Sequence, residues 1–195
     1  MADDDLAAAK SALRMTVLAR RAAISTERAA AAADAVAHRM TELLGRWPVG
    51  RISAFRSFGD EIGTGPLLTA LERAGYRIGL PVVVGKGRPL VFRRWRPGDP
   101  MAAGPYGIEQ PLTTAPEIEP DILVVPMAAF DRTGYRIGYG GGFYDRSIAG
   151  LRAKKPVVAI GLAYDEQEVE RVPRGPHDAR LDHLVTPTRA LSFGS

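Results

Sequence analysis

Short apolar runs alternate with amphipathic stretches along this chain, and that alternation constrains the fold more than any other feature. "DILVVP" (121–126) and "PVVAIGLAY" (156–164) read as buried strands, because a short run that is apolar throughout leaves no face for solvent. "RISAFRSF" (51–58), "RIGLPVVV" (77–84) and "PLVFRRW" (89–95) read as further strands, and "HLVTP" (183–187) as a short last one. Between them lie helical patterns. Leu6, Leu13, Val17 and Ile24 form one apolar stripe, Ala29 to Leu44 follow the candidate caps Ser25 and Thr26, and "TGPLLTALERAG" (64–75) starts beside a proline and stops at Gly75. A loop-rich stretch runs from Pro97 to Pro120. Strands alternating with helices predict an α/β fold with a mainly parallel sheet flanked by helices. No internal repeat or linker divides the 195 residues, so a single domain is expected.

Composition removes several chemistries. Cysteine is absent, which excludes disulfides, thiolate metal sites and cysteine nucleophiles. No run of about 18 apolar residues predicts a membrane span, and the acidic start "MADDDLAAAK" lacks the pattern of a signal peptide. A cytoplasmic protein is expected. The formal net charge is +4, and of the 26 basic residues only Lys10, Lys86, Lys154 and Lys155 are lysines. Arginine's fork matches phosphate and carboxylate groups, so charge leaves a small anion and a nucleic acid both open.

The segment "GYRIGYGGGFYDR" (134–146) sets glycines at 138 and 140–142 beside tyrosines, a phenylalanine and arginines. It follows the strand "DILVVP" and leads into a helix expected from about Phe143. In open α/β sheets ligands gather at that end of the strands. Gly138, Gly140, Gly141 and Gly142 let successive N–H groups turn toward an anion, with a helix N-terminus adding positive potential and Arg136 a charged fork. The dinucleotide fingerprint fails because position 143 is Phe, and no Gly-Lys-Ser/Thr of a nucleotide-binding P-loop occurs. A phosphate is the expected guest.

Two other groups of residues converge on that rim. Lys10, Arg14 and Arg21 share one helical stripe, which lies roughly 60° from the apolar one at about 100° per residue. They sit where the buried face meets solvent, able to lean over a neighbouring site. "FRSFGDEIGT" (55–64) follows the first strand and supplies Arg56 and Glu61. Asp145, and the later "PHDARLD" with His177, Asp178 and Asp182, offer hard ligands suited to Mg²⁺ bridging phosphates.

With these residues collected, the sequence resembles the 5-formyltetrahydrofolate cyclo-ligases over almost its whole length. The resemblance rests on Lys10, Arg14 and Arg21 of the first helix, on "SFGDEIGT", on "VVPMAAFDRTGYRIGYGGGFYDR", and on the tail from "GLAYDEQ" to "HDARLDHLVTP". It implies a three-layer α/β/α sandwich and an ATP- and Mg²⁺-dependent conversion of 5-formyltetrahydrofolate to 5,10-methenyltetrahydrofolate, with ADP and phosphate released. Carried over, Lys10, Arg14, Arg136, Ile137, Gly138, Tyr139, Gly140, Gly141, Gly142, Phe143 and Tyr144 would bind ATP, with Arg136 the candidate catalytic residue. Arg56, Glu61 and the stretch Tyr139 to Phe143 would contact the folate, and Asp145 and Asp182 would hold Mg²⁺. A monomer acting on small molecules, without nucleic acid or membrane, is expected. Three positions depart from the family pattern: Gln110 replaces Glu, Phe143 replaces Tyr, and Gly141 stands where some relatives carry Lys.

Overall fold

The computed structural model describes residues 3–194. Helix α1 (Asp3–Ala22) opens with acidic residues that suit the positive helix terminus and ends on Arg20 and Arg21. Helix α2 (Thr26–Leu44) is capped by Ser25, whose hydroxyl accepts from the Arg28 N–H at 3.3 Å. Then follow β1 (Arg51–Ser53), α3 (Gly65–Arg73), β2 (Arg77–Val82), β3 (Val91–Arg94), β4 (Met101–Ala103), β5 (Glu109–Pro111) and β6 (Ile122–Val125). The chain continues through β7 (Ala129–Phe130), β8 (Arg136–Ile137), α4 (Phe143–Arg152), β9 (Val158–Leu162), β10 (His183–Val185) and β11 (Ala190–Ser192).

Seven strands form one sheet in the order β11-β10-β9-β6-β1-β2-β3. The five inner strands are parallel, and the edge strands β3 and β11 run antiparallel. Alternation along β6 divides the core. Ile122 and Val124 face the cluster built by α2 and α3, while Leu123 and Val125 face the one that includes Ile148 and Leu151 of α4. Helices therefore cover both faces, giving the expected sandwich. Helix α1 departs from this layering. Its Val17, fully buried, and Leu13 pack against Ala129, Ile137 and Val172, so it lies across the β7–β8 hairpin at the carboxyl end of the sheet.

Some elements differ from the sequence expectation. The first strand stops at Ser53 because the buried Thr64 hydroxyl donates to the Phe55 carbonyl at 2.7 Å and accepts from Ser57 N–H, folding residues 54–64 into a loop. The loop-rich stretch carries the β4–β5 hairpin. Ile24 lies beyond α1, in a turn closed by its own N–H onto Arg21. Among the described residues no helix is long and apolar enough to cross a membrane.

Candidate active site

The strand order fixes where a site can form. From β1 the chain crosses through α3 to β2 on one side, while β6, β9 and β10 extend the sheet on the other. The loops leaving β1 and β6 therefore part in opposite directions, and a crevice opens between them. It is narrow, with no room for a free water between the side chains, and is lined by Arg21, Phe55, Glu61, Ile62, Met127 and Gln167 among others.

The loop after β6 is delivered by the hairpin, which Asp131 organises from within. Its Oδ1 accepts from the N–H and hydroxyl of Thr133 at 2.8 and 2.6 Å, and its Oδ2 accepts from Val172 N–H at 2.9 Å. The "DRTG" turn carried that signal in the sequence, although the hairpin itself was not anticipated. Strand β8 then buries Arg136, and Ile137 turns its side chain into the α1 core, so an ATP role there could use backbone only.

Beyond β8 the glycines take conformations that L side chains resist: φ is +98° at Gly140 and +63° at Gly142, the residue that caps α4. Among the described residues, no backbone N–H from Gly138 to Gly142 donates to another backbone carbonyl. These donors sit at the N-terminus of α4, where the helix dipole is positive. Arg14 reaches the loop from α1, donating through Nε to the Gly138 carbonyl at 2.8 Å. Lys10 is held further along, paired with Asp178 at 2.5 Å, so its charge is already balanced. His177 is exposed.

The two departures at positions 141 and 143 are in contact. A Cβ on Gly141 would lie 2.5 Å from the Phe143 ring, so the ring occupies the space a side chain at 141 would need. Arg146 lies over the same ring, 5.7 Å from its centroid, and donates to the Gly141 carbonyl. Gln110, the third departure, serves the sheet edge, accepting from Val83 N–H at 3.3 Å.

The two expected metal ligands do not converge. Asp145 stands in the first turn of α4, and its Oδ1 accepts from Arg136 at 2.9 Å and from Ala179 N–H at 3.1 Å. Asp182 precedes β10 at the opposite end of the sheet. It accepts from Arg152, in the last turn of α4, at 2.7 Å, and from Ala159 N–H at 2.7 Å. Asp145 and Arg152, the arginine that holds Asp182, stand seven residues apart on α4, about 10 Å of rise. The structure does not bring the two carboxylates together on a shared partner. Asp145 retains an oxygen for a cation, which suits Mg²⁺, an ion that keeps several waters and needs few carboxylates beside phosphates. Among the described residues no cluster of three or more acidic, histidine or cysteine ligands forms a metal cage.

Arg136 is also more constrained than a free phosphate fork. Its guanidinium is 3% exposed and divides between Asp145 and the Ala179 carbonyl, 2.6 Å from Nη1. It therefore fixes the start of α4 as well as supplying charge. Arg56 leans outward to Glu109 at 2.7 Å, both half-exposed.

Across the crevice, Tyr139 joins three elements. Its hydroxyl donates to Glu61 Oε1 at 2.6 Å and accepts from Arg21 Nη1 at 2.7 Å, while Arg21 Nη2 holds Asp60 at 2.5 Å. Glu61 Oε2 accepts from Phe58 N–H at 2.9 Å. Burial pushes the Glu61 carboxyl above its ordinary range, opposed by the bonds from Tyr139 and Phe58 and by the Arg21 charge. Burial, with Glu61 alongside, pushes the Tyr139 phenol up, so it remains a donor. Among the described residues the buried Tyr144 hydroxyl has no hydrogen-bond partner. Gln167 ties the crevice wall together, donating to the Met127 and Ala128 carbonyls and accepting from Tyr164 N–H. Asp60 and Gln167 fall within the stretches "SFGDEIGT" and "GLAYDEQ", but the sequence reading assigned neither of them a role. Both depend on long-range packing.

Comparison with known proteins identifies the family and the fold. The model of the 5-formyltetrahydrofolate cyclo-ligase family matches residues 6–187. A 5-formyltetrahydrofolate cyclo-ligase of Mycolicibacterium smegmatis is 32% identical, over 93% of this chain and 95% of that protein. The one from Escherichia coli K12 is 34% identical over 73% of this chain and 80% of its own length. The solved structure of Aquifex aeolicus 5,10-methenyltetrahydrofolate synthetase superposes with a TM-score of 0.77 at 28% identity, covering 95% of this chain and 93% of that one. A Mycoplasma pneumoniae 5,10-methenyltetrahydrofolate synthetase, 22% identical, shares the fold with a TM-score of 0.74 over 91% of this chain and 98% of that one. By sequence and fold, the chain belongs to the 5-formyltetrahydrofolate cyclo-ligase family.

Proposed function

We propose that this protein cyclises 5-formyltetrahydrofolate to 5,10-methenyltetrahydrofolate with ATP, in a Mg²⁺-dependent reaction that releases ADP and phosphate. One observation carries the reading. A single loop presents unpaired N–H groups at a helix N-terminus while its Tyr139 bonds Glu61 across the crevice. The same loop can then hold a phosphate chain and a folate ring side by side, making phosphoryl transfer effectively intramolecular.

The formyl oxygen is a poor leaving group and must be activated. Attack of that oxygen on the γ-phosphorus breaks the bond to the β-γ bridging oxygen and expels ADP. The side-arm nitrogen then adds to the formyl carbon, loses its proton, and phosphate departs with the C–O bond. The loop amides of Gly138 to Gly142 would receive phosphate oxygens, with Arg14 beside them and Arg136 keeping Asp145 and the helix start in place. Such transfer depends mainly on positioning and charge neutralisation. Glu61 would accept from ring N–H groups, and Phe143 would border the ring. Asp145 would hold Mg²⁺, which when bound neutralises charge on the phosphates. Every group named belongs to one chain, so a monomer acting as one domain suffices.

Purified protein given 5-formyltetrahydrofolate, ATP and Mg²⁺ should form the methenyl product, followed by its near-ultraviolet absorbance, with one ADP released per ring closed. Omitting ATP should abolish product. Folded protein that forms none, or forms it equally without ATP, contradicts the proposal.

A further inference from the structure

Arg21 is a deeply buried cation of the crevice, and the carried-over site residues do not include it. The residue is 4% exposed, lines the crevice, and leaves its Nε without a hydrogen-bond partner. It departs from α1 in its last turn yet touches both loops that form the site. Nη2 holds Asp60 of the loop after β1, and Nη1 holds the Tyr139 hydroxyl of the glycine loop. Tyr139 passes the contact on to Glu61, so Arg21 and the carboxylate stand about 5 Å apart, within the range over which opposite charges couple. Asp60, next in sequence to Glu61, is pinned by the same guanidinium.

We propose that Arg21 is a positioning residue: by clamping Asp60 and Tyr139 it holds the Glu61 carboxylate at the crevice as the acceptor for substrate N–H groups. The inference rests on the proposed folate role of Glu61, although its first test needs no folate. The alternative for a buried arginine is a purely structural link between helix and loops. One feature favours the positioning role: the link runs through the hydroxyl that bonds Glu61, so Arg21 reaches the carboxylate through a single shared group.

Charge supports the geometry. Four titratable groups face Glu61: Asp60 beside it, Arg21 from α1, Tyr139 from the glycine loop and Tyr144 from α4. Arg21 is the cation among them. Removing it leaves the burial of Glu61 and the repulsion from Asp60 with less opposition, and the carboxyl should then take up its proton at higher pH.

The test is the titration of Glu61 in the full ligand-free chain, followed by ¹³C NMR and assigned with Glu61→Gln. In Arg21→Gln the carboxyl should titrate about one pH unit higher than in the wild type. Arg21→Lys, which keeps the charge, should recover most of that shift. Affinity for 5-formyltetrahydrofolate should fall about tenfold in Arg21→Gln at pH 7, with ATP affinity unchanged. Tyr139→Phe, altered at a half-exposed position, supplies a second variant if Arg21→Gln does not fold, and it too should raise the Glu61 titration. An unchanged titration in the folded variants overturns the role of Arg21. If the wild type does not bind reduced folate, the reading of the site falls, while the titration still decides whether Arg21 acts on Glu61.

Discussion

The two ends of the sheet handle charge in opposite ways. At the amino end lies an open depression of about 830 Å³, lined by Arg152, Lys154, Lys155, Asp182, His183 and others. Its cations are matched: Arg152 to Asp182, Lys154 to Glu119, and Lys155 to Asp121, which Arg51 also holds. At the carboxyl end the crevice is far smaller, yet it buries Arg21 and Arg136, keeps the Arg21 Nε and Tyr144 hydroxyl unpaired, and leaves a row of loop amides without backbone acceptors. Buried polar groups are normally paired, and the loop amides with the Arg21 Nε and Tyr144 hydroxyl together leave this end able to receive a ligand. Size is the poorer guide. The large depression is a settled surface, and the small crevice is the incomplete one.

The sharpest way to break this contrast is at Arg136. Arg136→Ala should lower turnover by about two to three orders of magnitude, since charge positioned for a transition state is lost. It should also cost about 3 kcal/mol of stability, because Asp145 loses a buried partner. Arg136→Lys should recover little, as one ammonium cannot span both Asp145 and the Ala179 carbonyl. Steady-state kinetics and urea unfolding check this together. Wild-type turnover in folded Arg136→Ala would remove the site from this loop.

A smaller effect compares the ends directly. Asp145→Asn should raise the Mg²⁺ needed for half-maximal activity several-fold, through loss of a charged oxygen ligand. Asp182→Asn should leave the Mg²⁺ titration unchanged and cost about 1 kcal/mol of stability through its contacts to Arg152 and Ala159. Equal Mg²⁺ shifts in the two variants would contradict the separation of these carboxylates.

The smallest effect belongs to the amino end alone. Burial tends to raise the Asp121 carboxyl, but hydrogen bonds from Arg51 and Lys155 outweigh it and lower it to about 2. A depressed carboxyl adds stability above its unfolded titration range and loses it as pH falls toward the folded value. Asp121→Asn should therefore cost under ~1 kcal/mol near neutrality, discounted because Asp121 is 42% exposed. The difference from wild type should vanish as pH falls from about 4 to 2. Thermal unfolding across that range measures it, with activity at pH 7 unaltered.

How legible this was in the sequence depended on whether the signal was local. The runs at 121–126 and 156–164 announced β6 and β9 because burial on both faces leaves no polar position, and Phe143 was read as the start of α4 because the glycines end there. The Lys10, Arg14 and Arg21 stripe placed three cations at the margin of the buried face, but spacing could not say that Lys10 would meet Asp178 while Arg21 met Tyr139. The β7–β8 hairpin escaped notice because its strands are two residues each and depend on Asp131. The distance of Asp182 from the glycine loop was hidden for a related reason. Its neighbours in sequence, Asp178 and Ala179, do reach Lys10, Arg136 and Asp145, and four residues of extended chain are enough to leave the site.

The central claim is that ligands complete the carboxyl end and leave the amino end alone. Backbone amide mapping by NMR, with ATP and Mg²⁺ added first and 5-formyltetrahydrofolate second, tests it most directly. The account predicts that ATP perturbs the amides of Gly138 to Tyr144 most strongly, that the folate adds Phe58 to Ile62, and that Arg152 to Val158 stay unchanged. Perturbations centred on Arg152 to Val158, with the glycine loop silent, would contradict it.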